Sequence, residues 1–431
     1  MKASQLRRIE DEREIRQLIE REMERTGGIF RLAPTWVGRP GIVQPGRRIK
    51  LLDDYMSQEV AVNERWLAST TYADNGAFNA VCPPDHGLSY LIIGDARVQL
   101  REAFACAGDL LLNGRSWDVL PKFFDNWHRI PHHMHPCDRH VRPGLIGKPE
   151  SYYFPLELNM ARNAYPATPM GVDSTYSDAQ IVNYLRRYFA GDNHLTDLAN
   201  TINLIPGTGW FMPACTLHAP GSLVTYELQV ASDVTCIPES RVNDITMPSD
   251  LIDRDLPVTV SRDGFDAVCE YMLSMIRCPD AGNSENFRQQ YFRPPVCLRE
   301  EKAGRQSFVI YRCGRAGEAA SPDLYSAKKT SVHSGRVLDL AESAAFGAVV
   351  LAGHGSVWVT GKEPVPVEAV SLYATRDEIA GDEFFVAAPA AGKLRVSCAS
   401  LEGLSLYQHF ASGSNPEATR VQIPEHYAFS A

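Results

Sequence analysis

The feature of this 431-residue chain that most restricts its fold is a run of histidines between two prolines, at residues 131–136. The run reads Pro-His-His-Met-His-Pro and follows a hydrophobic stretch over residues 117–127. Side chains of an extended chain alternate between two faces, so His133 and His135 project from the same face. Two imidazoles on one face can bind the same metal ion. The run therefore predicts a β-strand that presents two metal ligands.

Two further residues extend this pair to a set of four. Glu150 opens a β-prone segment fifteen residues after His135, and His218 lies in another over residues 211–219. Three neutral imidazoles and one carboxylate suit zinc, and also manganese, iron, cobalt or nickel. We expect His133, His135, Glu150 and His218 to hold one divalent metal ion, with zinc as the first expectation. An HxH pair, a glutamate and a distant histidine, in this order, are the metal signature of the cupin β-barrel.

Size and charge limit the classes of protein to which the chain can belong. Single hydrophobic cores rarely grow past about 250–300 residues, so a chain of 431 residues should form two or three domains. The formal net charge of -9 opposes a nucleic-acid partner, which needs clustered Lys and Arg. No apolar run approaches the roughly 20 residues that cross a bilayer, and the first residues do not resemble a secretory signal. We expect a cytoplasmic protein with no nucleic-acid or membrane partner, whose ten scattered cysteines are reduced thiols.

Hydrophobic periodicity divides the chain into helical and β-prone segments. Residues 4–25 carry apolar side chains at helical spacing and end at Gly27-Gly28, which predicts an amphipathic N-terminal helix. The same spacing predicts helices over residues 96–113, 178–188, 194–203 and 264–276. Short β-prone stretches with glycine or proline turns fill residues 29–93, 119–157, 209–236 and 291–410.

These segments predict a mainly β fold, a double-barrel cupin of two jelly-roll-like barrels. We expect three parts: an N-terminal helix (1–28), a metal-binding cupin domain with a helical insert at about 160–205 (29–290), and a C-terminal cupin-like barrel (291–431). The last part contains His354 and His409 without the HxH, Glu, His order. We therefore expect the C-terminal barrel to be metal-free.

Several short motifs surround the expected ligands. They are the triplet Lys148-Pro149-Glu150, a proline-containing approach to His218 over residues 212–219, an acidic strand over residues 227–233, and two upstream segments at 63–69 and 87–89. With these motifs the chain resembles the type I mannose-6-phosphate isomerases, most distinctly over residues 62–239. The resemblance implies a double-barrel cupin with a helical insert, one bound divalent metal ion, and interconversion of an aldose and a ketose.

The resemblance also implies roles for residues outside the metal set. Lys148 and Glu227 are the implied catalytic residues, because proton removal next to a carbonyl needs an amine or carboxylate close to the metal. Trp66, Arg142 and Asp233 are the residues that we expect to contact a small sugar substrate.

Two positions depart from the family pattern. This chain has His133 where the family has a glutamine, and Ile237 where the family carries an active-site arginine. An isoleucine cannot supply the permanent positive charge of a guanidinium. The sugar substrate therefore need not be phosphorylated.

Three functions are compatible with these residues. The first is a metal-dependent aldose-ketose isomerase or epimerase acting on a sugar or sugar phosphate. The second is a cupin dioxygenase, since iron could occupy the same ligands and a third histidine suits iron. The third is a carbohydrate-binding cupin that keeps the metal and lacks turnover.

Overall fold

The computed structural model describes residues 5–51, 62–160, 165–279, 281–283, 287–312, 323–369, 373–374 and 379–423. Within these ranges β-strands dominate, and helices lie mainly at the N-terminus and between residues 178 and 291. No helix in the described part of the chain is long and apolar enough to span a membrane.

The strands of the first two thirds of the chain are mostly four to six residues long. In chain order they are β1 (Arg7–Ile9), β2 (Ile29–Leu32), β3 (Thr35–Gly38), β4 (Lys50–Leu51), β5 (Val62–Trp66), β6 (Tyr90–Ile93), β7 (Ala96–Gln99), β8 (Val119–Phe124), β9 (Glu150–Tyr153), β10 (Ala167–Met170), β11 (Asn200–Asn203), β12 (Gly209–Met212), β13 (Thr225–Val230), β14 (Arg241–Val242) and β15 (Ile245–Thr246).

The strands of the last third include several of seven residues. They are β16 (Phe292–Arg293), β17 (Val296–Glu301), β18 (Gly304–Ile310), β19 (Ser326–Val332), β20 (Val337–Leu340), β21 (Phe346–Ala352), β22 (His354–Val359), β23 (Val365–Glu368), β24 (Tyr373–Ala374), β25 (Glu383–Val386), β26 (Leu394–Cys398) and β27 (Leu404–Phe410).

The described α-helices are short, and the longest has 15 residues. They are α1 (Glu12–Thr26), α2 (Leu100–Leu112), α3 (Asp178–Arg186), α4 (Val260–Asp263), α5 (Phe265–Ile276), α6 (Phe287–Tyr291) and α7 (Ala388–Ala391). Helices α3 and α5 bury Ile181, Leu185 and Met272, among other apolar side chains, in one hydrophobic cluster. This cluster lies behind the histidine run, because it also contains Met134.

Three sheets form most of the β structure. A ten-stranded sheet has the order β1-β7-β6-β2-β25-β21-β27-β19-β18-β17, a seven-stranded sheet has the order β16-β12-β9-β13-β8-β5-β3, and a four-stranded sheet has the order β20-β26-β22-β23. The largest sheet joins the two halves of the chain, since β2 pairs with β25. The domain boundaries given above remain predictions.

Three helical segments expected from periodicity differ from the structure. The N-terminal helix begins at Glu12, because the Asp11 side chain accepts the backbone N–H of Glu14 and caps the first turn. Residues 96–99 and 200–203 are strands, β7 and β11, rather than helix. Strand β7 pairs antiparallel with β6, and β11 pairs antiparallel with β10. Pairing with a neighbouring strand overrides the local helical spacing in both places.

Other expectations agree closely with the structure. Strands β16 to β27 lie within the segment 291–410 that was predicted to be β-prone, and α5 begins one residue after the predicted start of its helix. These segments combine strong patterning with glycine or proline boundaries, which local sequence encodes well.

Candidate metal centre

The histidines of the run at 131–136 are positioned by backbone pairing with the segment around His218. The backbone N–H of His133 donates to the carbonyl of His218 at 3.0 Å, and the reverse bond measures 2.9 Å. Met134 pairs in the same antiparallel sense with Cys236. The alternation predicted from the sequence follows: Met134 points into the apolar cluster behind the run, whereas His133 and His135 point into a cavity.

Each of the three histidine rings is oriented by one backbone carbonyl. The Nδ1 atoms of His133, His135 and His218 lie 2.8 Å from the carbonyl oxygens of Pro131, Val234 and Thr216 respectively. A carbonyl oxygen only accepts, so each Nδ1 carries the proton and each Nε2 presents a lone pair. Ring nitrogens of the three residues lie within 4.8 Å of one another. This is the outer hydrogen-bonding arrangement that orients histidine ligands of metals.

Glu150, the first residue of β9, brings its carboxylate to the same point. Its oxygens lie 2.9 Å from Nε2 of His218 and 3.1 Å from Nε2 of His135. Tyr152 donates its hydroxyl to this carboxylate. Burial opposes ionisation of Glu150, but the charge of Lys148 holds its pKa well below the usual range.

The protonation states of these groups suit a divalent cation. Burial, followed by the neighbouring His218, lowers the pKa of His133 well below its ordinary value, and burial with Lys148 lowers that of His135 to about 4. Oε2 of Glu150 and Nε2 of His218 are buried and have no hydrogen-bond partner among the described residues. Lone pairs that face one another without a proton between them repel, and a metal ion bound between them would relieve that repulsion. Three neutral imidazoles and one carboxylate therefore fit one metal ion.

Lys148 and Glu227 adjoin this ligand set. The Nζ atom of Lys148 lies 3.1 Å from both Nε2 of His135 and Oε2 of Glu150, and 3.8 Å from Oε1 of Glu227. Burial, and next the charge of Glu150, raise the pKa of Glu227 to about 8. Lysine and glutamate thus meet at the edge of the candidate metal centre.

A second lysine in the cavity was missed by the sequence analysis. Lys122 on β8 is paired directly with Glu227 on β13, and its Nζ lies 3.4 Å from Oε1 of Glu227. Directly paired residues of neighbouring strands share a face of the sheet. A lysine within the apolar strand 119–124 is the signal that could have identified it, since lysine is rarely buried without a partner.

Asp233 also lines the cavity, where it is held by an arginine that the sequence analysis did not single out. Nη1 and Nη2 of Arg39 bind the two oxygens of Asp233 at 3.0 and 2.8 Å, and Nε binds Glu64 at 3.3 Å. Burial alone would raise the pKa of Asp233, but Arg39 lowers it to about 2. Asp233 is therefore an ionised residue of the cavity wall, and both of its carboxylate oxygens already accept hydrogen bonds from Arg39.

Two expected substrate-binding residues do not line the cavity. Trp66 is completely buried, and its indole N–H donates to Glu64 at 2.7 Å, so it supports the wall from behind. The side chain of Arg142 is 51% exposed and its guanidinium lies 3.9 Å from Asp255. The sequence could not show which face of its strand Trp66 occupies, nor that the turn at Arg142 points outward.

The cavity extends from the ligands past Ile237. Arg254 also lines the cavity, from a different segment of the chain than Ile237. Nη2 of Arg254 lies 3.5 Å from Asp255, and Nη1 lies 4.0 Å from Asp74. Its Nε and Nη1 atoms are buried and have no hydrogen-bond partner in the described ranges.

Comparison with known proteins defines the fold. No protein-family model matches the sequence, and no curated protein is similar enough to count as a relative. Solved structures do match. The mannose 6-phosphate isomerase from Bacillus subtilis superimposes with a TM-score of 0.59 at 16% identity, over 89% of this chain and 99% of that one. A zinc-bound mannose 6-phosphate isomerase gives a TM-score of 0.58 at 11% identity, with the same coverage of both chains.

A variant of the phosphomannose isomerase from Salmonella typhimurium gives a TM-score of 0.57 at 12% identity, over 89% of this chain and 99% of that one. At such identities the likeness establishes the fold. It confirms the mainly β, cupin-like fold that was expected from the sequence.

Proposed function

We propose that this protein is a metal-dependent aldose-ketose isomerase or epimerase that acts on a sugar or sugar phosphate. The observation that carries the proposal is the convergence of His133, His135, Glu150 and His218, whose lone pairs face one another, with Glu227 at their edge. The shared fold supports it, because the matching structures are described as mannose 6-phosphate and phosphomannose isomerases.

The four ligands would hold one divalent ion, with zinc as the first candidate. Such an ion supplies Lewis-acid polarisation of a carbonyl or hydroxyl oxygen. In this chain the orienting carbonyls at Pro131, Val234 and Thr216 keep the three Nε2 atoms aimed at the common point. The positions of the ligands would therefore need little change when the ion binds.

Glu227 is the residue that we assign to proton transfer. Its Oε1 atom is buried, faces the cavity and has no hydrogen-bond partner among the described residues. In its ionised form it can therefore accept the proton from the carbon next to the sugar carbonyl and return it to the neighbouring carbon. Lys122 and Lys148, at 3.4 and 3.8 Å, hold this oxygen in place by charge without occupying it with a short hydrogen bond.

Lys148 is the second catalytic residue of the proposal. Its Nζ atom lies between Glu150 and Glu227 and can donate a proton to a sugar oxygen that gains negative charge. The cavity wall around Asp233 and Ile237 would then surround the rest of the sugar.

Arg254 is the residue that we assign to an anionic end of the substrate. Arg254 lines the cavity together with Ile237, and its Nε and Nη1 atoms make no hydrogen bond among the described residues. Arg39 is less suited, because all three of its guanidinium nitrogens already bind Asp233 or Glu64, with Nη1 also 3.2 Å from Asn75. A phosphorylated sugar would thus be bound by an arginine from a different part of the sequence.

The proposal is tested by hydrogen exchange in deuterated water. The metal-loaded protein is incubated with a panel of free and phosphorylated aldoses, and deuterium at the carbon next to the carbonyl is followed by NMR together with the ketose formed. We expect incorporation with at least one sugar, and loss of incorporation in Glu227→Gln. Binding of sugars without exchange would favour a carbohydrate-binding cupin instead, and oxygen uptake by iron-loaded protein would favour a dioxygenase.

A further inference from the structure

A second cluster of metal-binding side chains lies beside the first but shares no residue with it. It consists of Cys137, His140, Cys215 and Cys278, and one ligand atom from each lies within 4.8 Å of all the others. Nδ1 of His140 lies 3.0 Å from Sγ of Cys137 and 3.6 Å from Sγ of Cys215. Cys215 and Cys278 are buried, and the other two are partly buried.

The dimensions of this cluster match those of a tetrahedral zinc site. Zinc binds cysteine sulfur at about 2.3 Å and histidine nitrogen at about 2.0–2.1 Å, so its ligand atoms are separated by roughly 3.5–3.8 Å. The separations in this cluster need to change by about an ångström or less. Three thiolates and one imidazole form a ligand set typical of closed, structural zinc sites. Cys137 and His140 also have the two-residue spacing common in such sites.

Each ligand is presented by ordered backbone. His140 and Val141 both donate their N–H groups to the carbonyl of Cys137, so Cys137 and His140 belong to one tight turn. Cys215 adopts a left-handed conformation, with φ of 65°, and its N–H donates to the carbonyl of His135 at 2.6 Å. A non-glycine residue adopts this conformation at some cost in free energy, and here it directs the thiol toward the cluster.

Two neighbours hold side chains of the cluster in place. Arg139 donates a hydrogen bond from Nη2 to Sγ of Cys278. The ring of Tyr271 on α5 packs edge-on against His140, with ring centroids 5.6 Å apart, and limits its rotation.

The location of the cluster suggests what a metal there would do. Cys137 follows the ligand His135 by two residues, and Cys215 precedes the ligand His218 by three. Cys278 comes from the turn after α5, whose continuation is tied to Cys215 by a hydrogen bond from Asn283 at 2.7 Å. One ion would therefore cross-link both ligand-bearing loops to the helical part of the molecule.

We propose that Cys137, His140, Cys215 and Cys278 form a second, structural metal site that binds zinc. The site does not depend on the proposed isomerase activity, and its role is to hold the two loops that carry His135 and His218 at a fixed separation. A metal ion binds thiolates and not disulfides, so a reducing environment favours this site. The three cysteines are free thiols in the structure.

The native full-length protein provides the first test. It is purified under reducing conditions, its metal content is measured by mass spectrometry, and it is then titrated with a mercurial reagent, which displaces metal from thiolates. We expect one zinc ion per chain to be released by the mercurial. We also expect cobalt-substituted protein to show the intense near-ultraviolet absorption of thiolate-to-cobalt charge transfer, which a site of histidines and glutamate cannot produce.

Variants separate the two sites. His133→Ala should lose one metal ion per chain and keep the thiolate-cobalt absorption, whereas Cys278→Ser should weaken that absorption and lower the melting temperature. Cys297→Ser is the matched control, because Cys297 is exposed and outside the cluster, and it should change neither quantity. If Cys278→Ser does not fold, the thiolate-to-cobalt absorption of the native protein still shows whether cysteines bind the metal.

Two results would overturn the proposal. The first is folded, cobalt-loaded native protein without thiolate absorption. The second is a disulfide between two of the three cysteines in protein purified under reducing conditions, found by peptide mapping, since that would leave too few thiolates for the metal.

Discussion

The cavity of the seven-stranded sheet and the interior of the C-terminal β structure both bury a lysine beside a glutamate, but they differ in how completely these groups are paired. In the C-terminal part, Nζ of Lys328 binds Oε2 of Glu342 at 2.6 Å. Gln306 and Gln408 donate to the other oxygen of Glu342 at 2.8 and 3.2 Å. Thr330 completes this network by donating to Gln408.

In the cavity, by contrast, several acceptors are left over. Oε1 of Glu227, Oε2 of Glu150 and Nε2 of His218 are buried without a hydrogen-bond partner in the described part of the chain. The nearest lysines lie at 3.1–3.8 Å from the glutamate oxygens, rather than at 2.6 Å. A buried polar group without a partner costs free energy, so such groups persist where a ligand completes them. The comparison distinguishes a closed network of paired groups from a set of groups that a metal ion and, in the proposed function, a substrate would complete.

The largest effect is expected from removing a ligand of the candidate metal centre. His218→Ala should abolish metal binding at the first centre and lower turnover by more than about 100-fold, because loss of even an outer-shell partner costs 10–100-fold. Metal content and the deuterium-exchange rate are the measurements. His354→Ala, an exposed histidine of the C-terminal part, is the control. Full activity in metal-free His218→Ala would contradict the assignment of the centre.

Removal of the proposed base should affect the reaction and leave the metal in place. Glu227→Gln keeps the size of the side chain but cannot accept the proton, so we expect kcat to fall by about 10²–10⁴-fold. Metal content should remain that of the native protein. An unchanged kcat in this variant would contradict Glu227 as the base and would favour Lys148 in that role.

The C-terminal network should respond in stability instead of activity. Lys328→Met leaves Glu342 buried without its cation, and the free energy of unfolding should fall by about 3–5 kcal/mol. Chemical denaturation measures this change. Arg395→Met is the control, because it removes an exposed ion pair to Asp339 that is worth about 1 kcal/mol or less. If Lys328→Met changed the metal content of folded protein, the two regions would not be independent.

The smallest predicted effect concerns the substrate's charge. Arg254→Gln should raise KM for a phosphorylated sugar by about tenfold, roughly 1.4 kcal/mol, and leave KM for the unphosphorylated sugar unchanged. Arg142→Gln is a close control, since both arginines approach Asp255 but Arg142 does not line the cavity. Equal effects of the two substitutions would argue against a specific anion site at Arg254.

The sequence was informative where spacing along the chain directly determines geometry. Alternation places His133 and His135 on one face. Lys148 lies close to the candidate metal centre because it precedes the ligand Glu150 by two residues. The sequence was less informative where the orientation of a side chain depends on the elements packed around it. Trp66 and Arg142 were expected at the substrate and are found behind the wall and at the surface, respectively.

The sequence by itself determined the mainly β fold and the order of the four candidate ligands, because strand alternation and turn residues are local properties. Only the tertiary structure decided which distant residues meet. Lys122 reaches Glu227 through strand pairing, Arg254 reaches the wall beside Ile237 from another segment, and Cys278 reaches Cys137 and Cys215 from the end of a helix. These contacts join residues far apart in the chain, and their distances follow from the packing of whole elements rather than from any local pattern.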